Sequence, residues 1–137
     1  MDTVSVKRRS EIMSRIRSRD TIPELFVRSL THRLGYRFRL QGINLLGRPD
    51  LVFASRQKVI FVHGCFWHGH QGCDRARIPQ SHREYWLGKI ERNRKRDRAV
   101  GRLLLRRDWE RLVVWECEIR RPEALAGRII QFFDKEV

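Results

Sequence analysis

The chain has 137 residues, with 30 lysines and arginines against 16 acidic residues, a formal charge of +14. That length fits one domain, and 41% hydrophobic residues suffice for a modest core, which excludes a disordered chain. The opening MDTVSVKRRSEIMSR lacks the apolar run of a secretory signal, and no stretch approaches the ~20 apolar residues of a membrane span. The expectation is a cytoplasmic protein directed at a polyanion.

Ser10 is placed to cap a short first helix with Ile12, Met13 and Ile16 on one side. Asp20 or Thr21 opens a second helix, with Pro23 in its first turn, Leu25, Phe26, Leu30 and Leu34 at helical spacing, and Gly35 just past its end. Tyr36, Phe38 and Leu40 alternate with Arg37 and Arg39, the pattern of a half-exposed strand. After a loop through Gly42, Asn44, Gly47 and Pro49, residues 51–53 and 59–62 form two apolar strands. Only Ala54 to Lys58 separates them, which predicts an antiparallel hairpin.

Residues 63–80 are rich in His, Gly and Cys and have no periodicity. Ser81-His-Arg-Glu84 matches a capping box, from which a long helix runs to about Leu105 with Trp86, Leu87, Ile90, Val100 and Leu104 inward. Leu112 to Trp115 form a last buried strand, and Trp109 and Trp115 read as core. Pro122 starts a final helix with Leu125, Ile129, Phe132 and Phe133 on its core face. The order α-α-β-β-β-loop-α-β-α predicts an α/β fold: one domain over 1–137, with a central mixed sheet of about four strands flanked by helices.

Cys65, His70 and Cys73 lie close together, and Cys117 follows the last strand. Three thiolates and one imidazole are the ligand set of a closed, structural tetrahedral Zn²⁺ site, which would staple a loop too polar to hold itself. Unrelated thiols with a surface histidine are the bland alternative, and a disulfide is disfavoured in a reducing compartment. His63 and His68 flank Cys65 and are either alternative ligands or chemical groups. The predicted hairpin brings Asp50, at the head of one strand, close to His63, at the end of the next. An acid beside imidazoles on so basic a chain suggests phosphodiester chemistry, with the carboxylate holding Mg²⁺ and a histidine taking a proton from water. A turn residue and a satisfied surface histidine are the competing readings.

Phe66 and Trp67 are adjacent within a polar loop. Either they pack under the loop, or they project and wedge between base pairs; Trp86 is placed to join them or to be core. Basic runs at Lys7–Arg19 and at Lys89, Arg92, Arg94, Lys95, Arg96 and Arg98 are suited to phosphate contact. Asp97, inside the second run, is either an ordinary helix-face acid or the partner of a histidine.

GRPD at 47–50, VIFVHGCFWHGH at 59–70, EYWLGKI at 84–90, ERNRKRD at 91–97, VVWEC at 113–117 and RSRDTIPE at 17–24 resemble the Vsr (very short patch repair) DNA mismatch endonucleases. The resemblance implies a restriction-endonuclease-like core and a hydrolase that nicks one strand of duplex DNA at T·G mismatches arising from 5-methylcytosine deamination. It implies that Asp50 binds Mg²⁺ with the Val62 backbone carbonyl beside it, and that His68 is the general base with Asp97 as its partner. By the same resemblance His63 is a second active-site imidazole, and Glu24 an acid near the site. Cys65, His70, Cys73 and Cys117 correspond to zinc ligands, and Phe66, Trp67 and Trp86 to an inserted aromatic wedge. Met13, Lys89, Arg92 and Arg94, with the basic segment 1–20, correspond to DNA-contacting positions. A nucleoid-associated monomer with MutL-type and DNA polymerase partners is implied as well. Two residues, Gln71 and Gly72, separate His70 from Cys73 where the family commonly has one; a left-handed Gly72 would absorb the extra residue. Two other readings remain: a zinc-stapled DNA-binding module without catalysis, and a related restriction-type nuclease with a different site.

Overall fold

The computed structural model describes residues 21–40 and 47–134. The expected first helix, Met13 and the basic segment 1–20 lie outside the described residues. Helix α1 spans Ile22–Arg33. The Thr21 side chain caps it by accepting from the Glu24 N–H at 3.3 Å, and Pro23 occupies the first turn. The helix ends because Gly35 turns left-handed (φ +95°); Tyr36 N–H then returns to the Thr31 carbonyl and Gly35 N–H to that of His32.

Strands β1 (Arg39–Leu40), β2 (Leu51–Phe53), β3 (Lys58–His63) and β4 (Glu110–Trp115) form one sheet in the order β1-β2-β3-β4. The first two pairings are antiparallel and β3–β4 is parallel, so the sheet is mixed as expected. Helix α2 (Arg83–Arg106) makes the crossover from β3 to β4, and α3 (Pro122–Asp134) follows. No described helix is long and apolar enough to cross a membrane.

Strand alternation divides the core into two layers. Leu51, Phe53, Ile60 and Val114 face α1 and α3, where they meet Val27, Leu30, Leu125, Ile129, Phe132 and Phe133. Val52, Val59 and Phe61 face α2 and pack on Leu104, with Val100, Trp109 and Val113 around them. Helices cover both faces, so β2 and β3 are apolar at consecutive positions rather than alternating. Buried Lys58 donates to the Phe132 carbonyl, tying the first residue of β3 to the last turn of α3.

Four local expectations need correction. Tyr36 and Phe38 precede the strand and pack on the core; only Arg39 and Leu40 are paired, and both are exposed. The capping box at 81–84 does not form. His82 holds the cap position with φ +55° and no side-chain cap, which places Ser81 outside the helix start. Leu87 is 44% exposed, because the inward face runs through Trp86, Ile90, Gly101 and Leu104, and a neighbour of Trp86 is turned ~100° away. In β4 only Val114 is fully buried, and Trp109 and Trp115 are half-buried.

Candidate active site and metal centre

The β2–β3 register brings the two strand ends together. Leu51 pairs with Ile60, and Asp50 N–H donates to the Ile60 carbonyl at 3.0 Å. This sets the Asp50 carboxylate over the end of β3, where its Oδ2 accepts from Val62 N–H at 2.6 Å. Burial pushes the Asp50 carboxyl up to about 6, opposed by the Val62 hydrogen bond, while Glu24 adds to the rise and Arg28 and His68 oppose it.

One residue along β3, His63 is buried beneath His68, the two rings stacking 3.8 Å apart and almost parallel. His68 Nδ1 lies 2.6 Å from Asp97 Oδ2 on α2, and His63 Nδ1 lies 4.0 Å from the same oxygen. Burial lowers the His63 pKa to about 3, with the neighbouring His68 adding to the shift, so this ring is neutral at physiological pH. Burial raises the Asp97 pKa, but the His68 hydrogen bond and the surrounding charges outweigh it and bring the carboxyl below its ordinary value. Asp50, Val62, His63, His68, Asp97 and buried Glu24 all line one cavity of about 750 Å³.

The same loop supplies a second cluster. The ligand atoms of Cys65, His70, Cys73 and Cys117 lie within 4.8 Å of one another. An ion bound tetrahedrally to sulfur and nitrogen sets those atoms about 3.6 Å apart. His70 Nδ1 is 3.6 Å from Cys65 Sγ and 3.5 Å from Cys117 Sγ, so these residues fit a metal ion. Burial pushes the Cys65 thiol up to about 12, a shift that a dication among the sulfurs would reverse. Gly72 has φ +73°, and Cys73 lies in the cluster.

Trp115 joins the two clusters: its ring stacks on His70 at 4.1 Å and meets His63 edge-on at 5.3 Å. Glu116 Oε1 accepts from Cys65 N–H at 2.9 Å, and its other oxygen lies 3.7 Å from Arg75.

Phe66 and Trp67 are half-buried beside the cavity and pack edge-to-face on each other and on Trp86. Trp86 is wholly buried, so it backs the two loop rings rather than standing beside them. Asn93 donates to the Trp67 carbonyl at 2.9 Å, and Lys89 Nζ sits 4.6 Å over the Trp67 ring. Arg92 is exposed and Arg94 half-buried on the same helix. Glu116, Asn93 and Arg111 escaped the sequence reading. Glu116 stood directly beside Cys117 and so had a positional signal, whereas Asn93 and Arg111 only looked like polar members of a basic helix and a strand.

The family model for DNA mismatch endonuclease Vsr matches residues 1–75. The type II nicking enzyme V.XorIIP of Xanthomonas oryzae pv. oryzae is 48% identical over 133 residues, covering 97% of each chain. DNA mismatch endonuclease Vsr of Escherichia coli is 44% identical over 122 residues, covering 89% of this chain and 78% of the relative. The type II nicking enzyme V.NmeAIP of Neisseria meningitidis is 38% identical over 128 residues, covering 93% and 91%.

Proposed function

The chain belongs to the DNA mismatch endonuclease Vsr family and is a DNA-acting endonuclease, and we propose that it nicks one strand of duplex DNA at T·G mismatches by Mg²⁺-dependent hydrolysis. The supporting observation is the convergence of the half-buried Asp50 carboxylate, a carboxylate-bound imidazole and an aromatic pair on one cavity. A binding module needs no such cavity chemistry.

Asp50 and the Val62 carbonyl would hold Mg²⁺. The donor type fits, since that ion takes one or two carboxylates and leaves its other positions to water and phosphate. When bound, it supplies charge stabilisation for the attacking and leaving oxygens. His68 takes a proton from the attacking water, and Asp97 holds the ring in one tautomer and supports the imidazolium that forms. His63, neutral and stacked on His68, fixes that ring's plane. Cys65, His70, Cys73 and Cys117 would hold Zn²⁺ with no open position for water, so the ion staples the loop and takes no part in hydrolysis. Phe66 and Trp67 would insert beside the mismatch with Trp86 behind them, since a mismatched step is cheaper to unstack. Lys89, Arg92 and Arg94, with Met13 and the basic segment 1–20, would contact the duplex, and Glu24 would add an acid at the cavity wall. The protein would act as a cytoplasmic, nucleoid-associated monomer upstream of MutL-type and polymerase partners.

The test compares nicking of matched, T·G and methylated duplexes in Mg²⁺ by the parent and by Asp50→Ala. Selective nicking of T·G by the parent, with binding but no nicking by the variant, is expected. Parent-like nicking by Asp50→Ala removes the carboxylate from the mechanism, and equal cutting of all duplexes favours a restriction-type nuclease.

A further inference from the structure

We infer that Arg111 is a positioning residue for the His68–Asp97 pair: seated in the notch that Gly101 leaves in α2, it ties the Asp97 backbone to β4. The inference rests on the proposed reading of that pair as the proton-handling unit.

The two halves of the site come from different layers. His63 belongs to the β3–β4 ladder, in which it pairs with Trp115, and Arg111 pairs with Val59 in the same ladder. Asp97 comes from α2, packed across that sheet. Its carboxylate must reach His68 at 2.6 Å, so the helix has to be held axially as well as pressed down by apolar contacts. Those contacts, from Val100, Leu104 and Trp109, are non-directional.

Arg111 supplies the directional tie. Its Nη1 donates to the Asp97 carbonyl at 3.1 Å. In the helical ladder that carbonyl also pairs with the N–H four residues on, which belongs to Gly101. A side chain at 101 would block the approach: an ideal Cβ there falls 2.5 Å from Arg111 Cζ and 2.6 Å from Nε and Nη2. Alanine is the better residue for a buried helix interior, and the seated guanidinium gives a packing reason for glycine instead. Arg111 lines the cavity, and its charge also favours ionised Asp97.

The experiment uses the zinc-loaded full chain and measures four things. These are single-turnover nicking of a T·G duplex at saturating protein and Mg²⁺, duplex Kd without Mg²⁺, thermal unfolding, and the downfield ring N–H proton resonance of His68. Gly101→Ala should melt at or above the parent's temperature, because only the end of a flexible side chain must move. It should nonetheless nick roughly 10-fold or more slowly, since small misplacements of reacting groups are costly. Kd should be unchanged, and the His68 resonance should shift. Arg111→Met should lose a similar factor, Arg111→Lys should recover part of it, and the double variant should be no slower than either single one. Parent-like nicking by Gly101→Ala overturns the inference. So does a loss confined to Kd, which would make Arg111 a phosphate contact. Asp97→Ala separates the two levels of the argument. If it nicks at the parent's rate, the reading of the pair fails; if it alone is slow, only the role of Arg111 fails.

Discussion

Asp50 is held ionised in a place that disfavours its charge, and replacing it should reveal the cost. Burial raises its carboxyl from 3.8 to about 6, and that gap corresponds to about 3 kcal/mol. The folded state holds the proton more tightly than the unfolded chain does. Stability therefore falls as pH rises from the unfolded value toward about 6, and the penalty is complete above it. Asn at this position can still accept from Val62 N–H and has no charge to desolvate. In zinc-loaded, Mg²⁺-free protein, Asp50→Asn should stabilise by up to about 3 kcal/mol at pH 8 and by about half that at pH 5. For a chain of this size that is up to about 10 °C in Tm at the higher pH. Glu24, Arg28 and His68 face the same carboxyl and are present in both proteins. Differential scanning calorimetry of both proteins at the two pH values measures the difference. Added Mg²⁺ should raise the melting temperature of the parent alone. An Asp50→Asn protein no more stable than the parent at pH 8 would refute the idea that this carboxylate waits, desolvated, for a cation.

Cys117→Ser should lose its bound zinc and melt lower; unchanged melting in a protein shown free of metal by elemental analysis would exclude a structural ion. Affinity for duplex DNA should fall by roughly 10³–10⁵ between 50 and 200 mM salt if six to ten basic side chains meet phosphates. A flat salt response in a filter-binding assay would contradict that. Trp67→Ala should bind matched DNA as the parent does but lose preference for T·G, read as the ratio of the two Kd values; an unchanged ratio would remove the ring from the wedge.

The parts of the fold and site readable in the sequence were those fixed by short-range rules. Five residues between two apolar runs left the hairpin little choice of pairing, and the pairing sets Asp50 beside Val62, at the rim of the cavity that His63 also lines. Cysteines spaced around His70 announced the cluster, and Gly72 has the left-handed backbone that would absorb an extra residue. The failures were of two kinds. At 81–84 the local pattern lost to a left-handed His82 at the cap, and at Leu87 to an inward face that runs through Trp86 and Ile90 instead. Asp97 stood in a basic run as either a helix-face acid or a histidine's partner, and only the family resemblance chose between them; Arg111 and Asn93 showed no signal and Trp115 read as core, because each acts across a gap between elements. Periodicity describes one element at a time and does not report what two elements do where they cross.

Between His63 and His70 the chain interleaves three features: the stacked rings at 63 and 68, of which His68 is proposed to take the proton, candidate metal ligands at 65 and 70, and the aromatic pair at 66 and 67. The turns that fold it are internal, with His68 N–H bonded to the Gly64 carbonyl and His70 N–H to that of Cys65. One residue added or removed within this stretch would put all three out of step together, whereas Gln71 and Gly72, just beyond it, are exposed and Gly72 is left-handed, so a change of length there would disturb less.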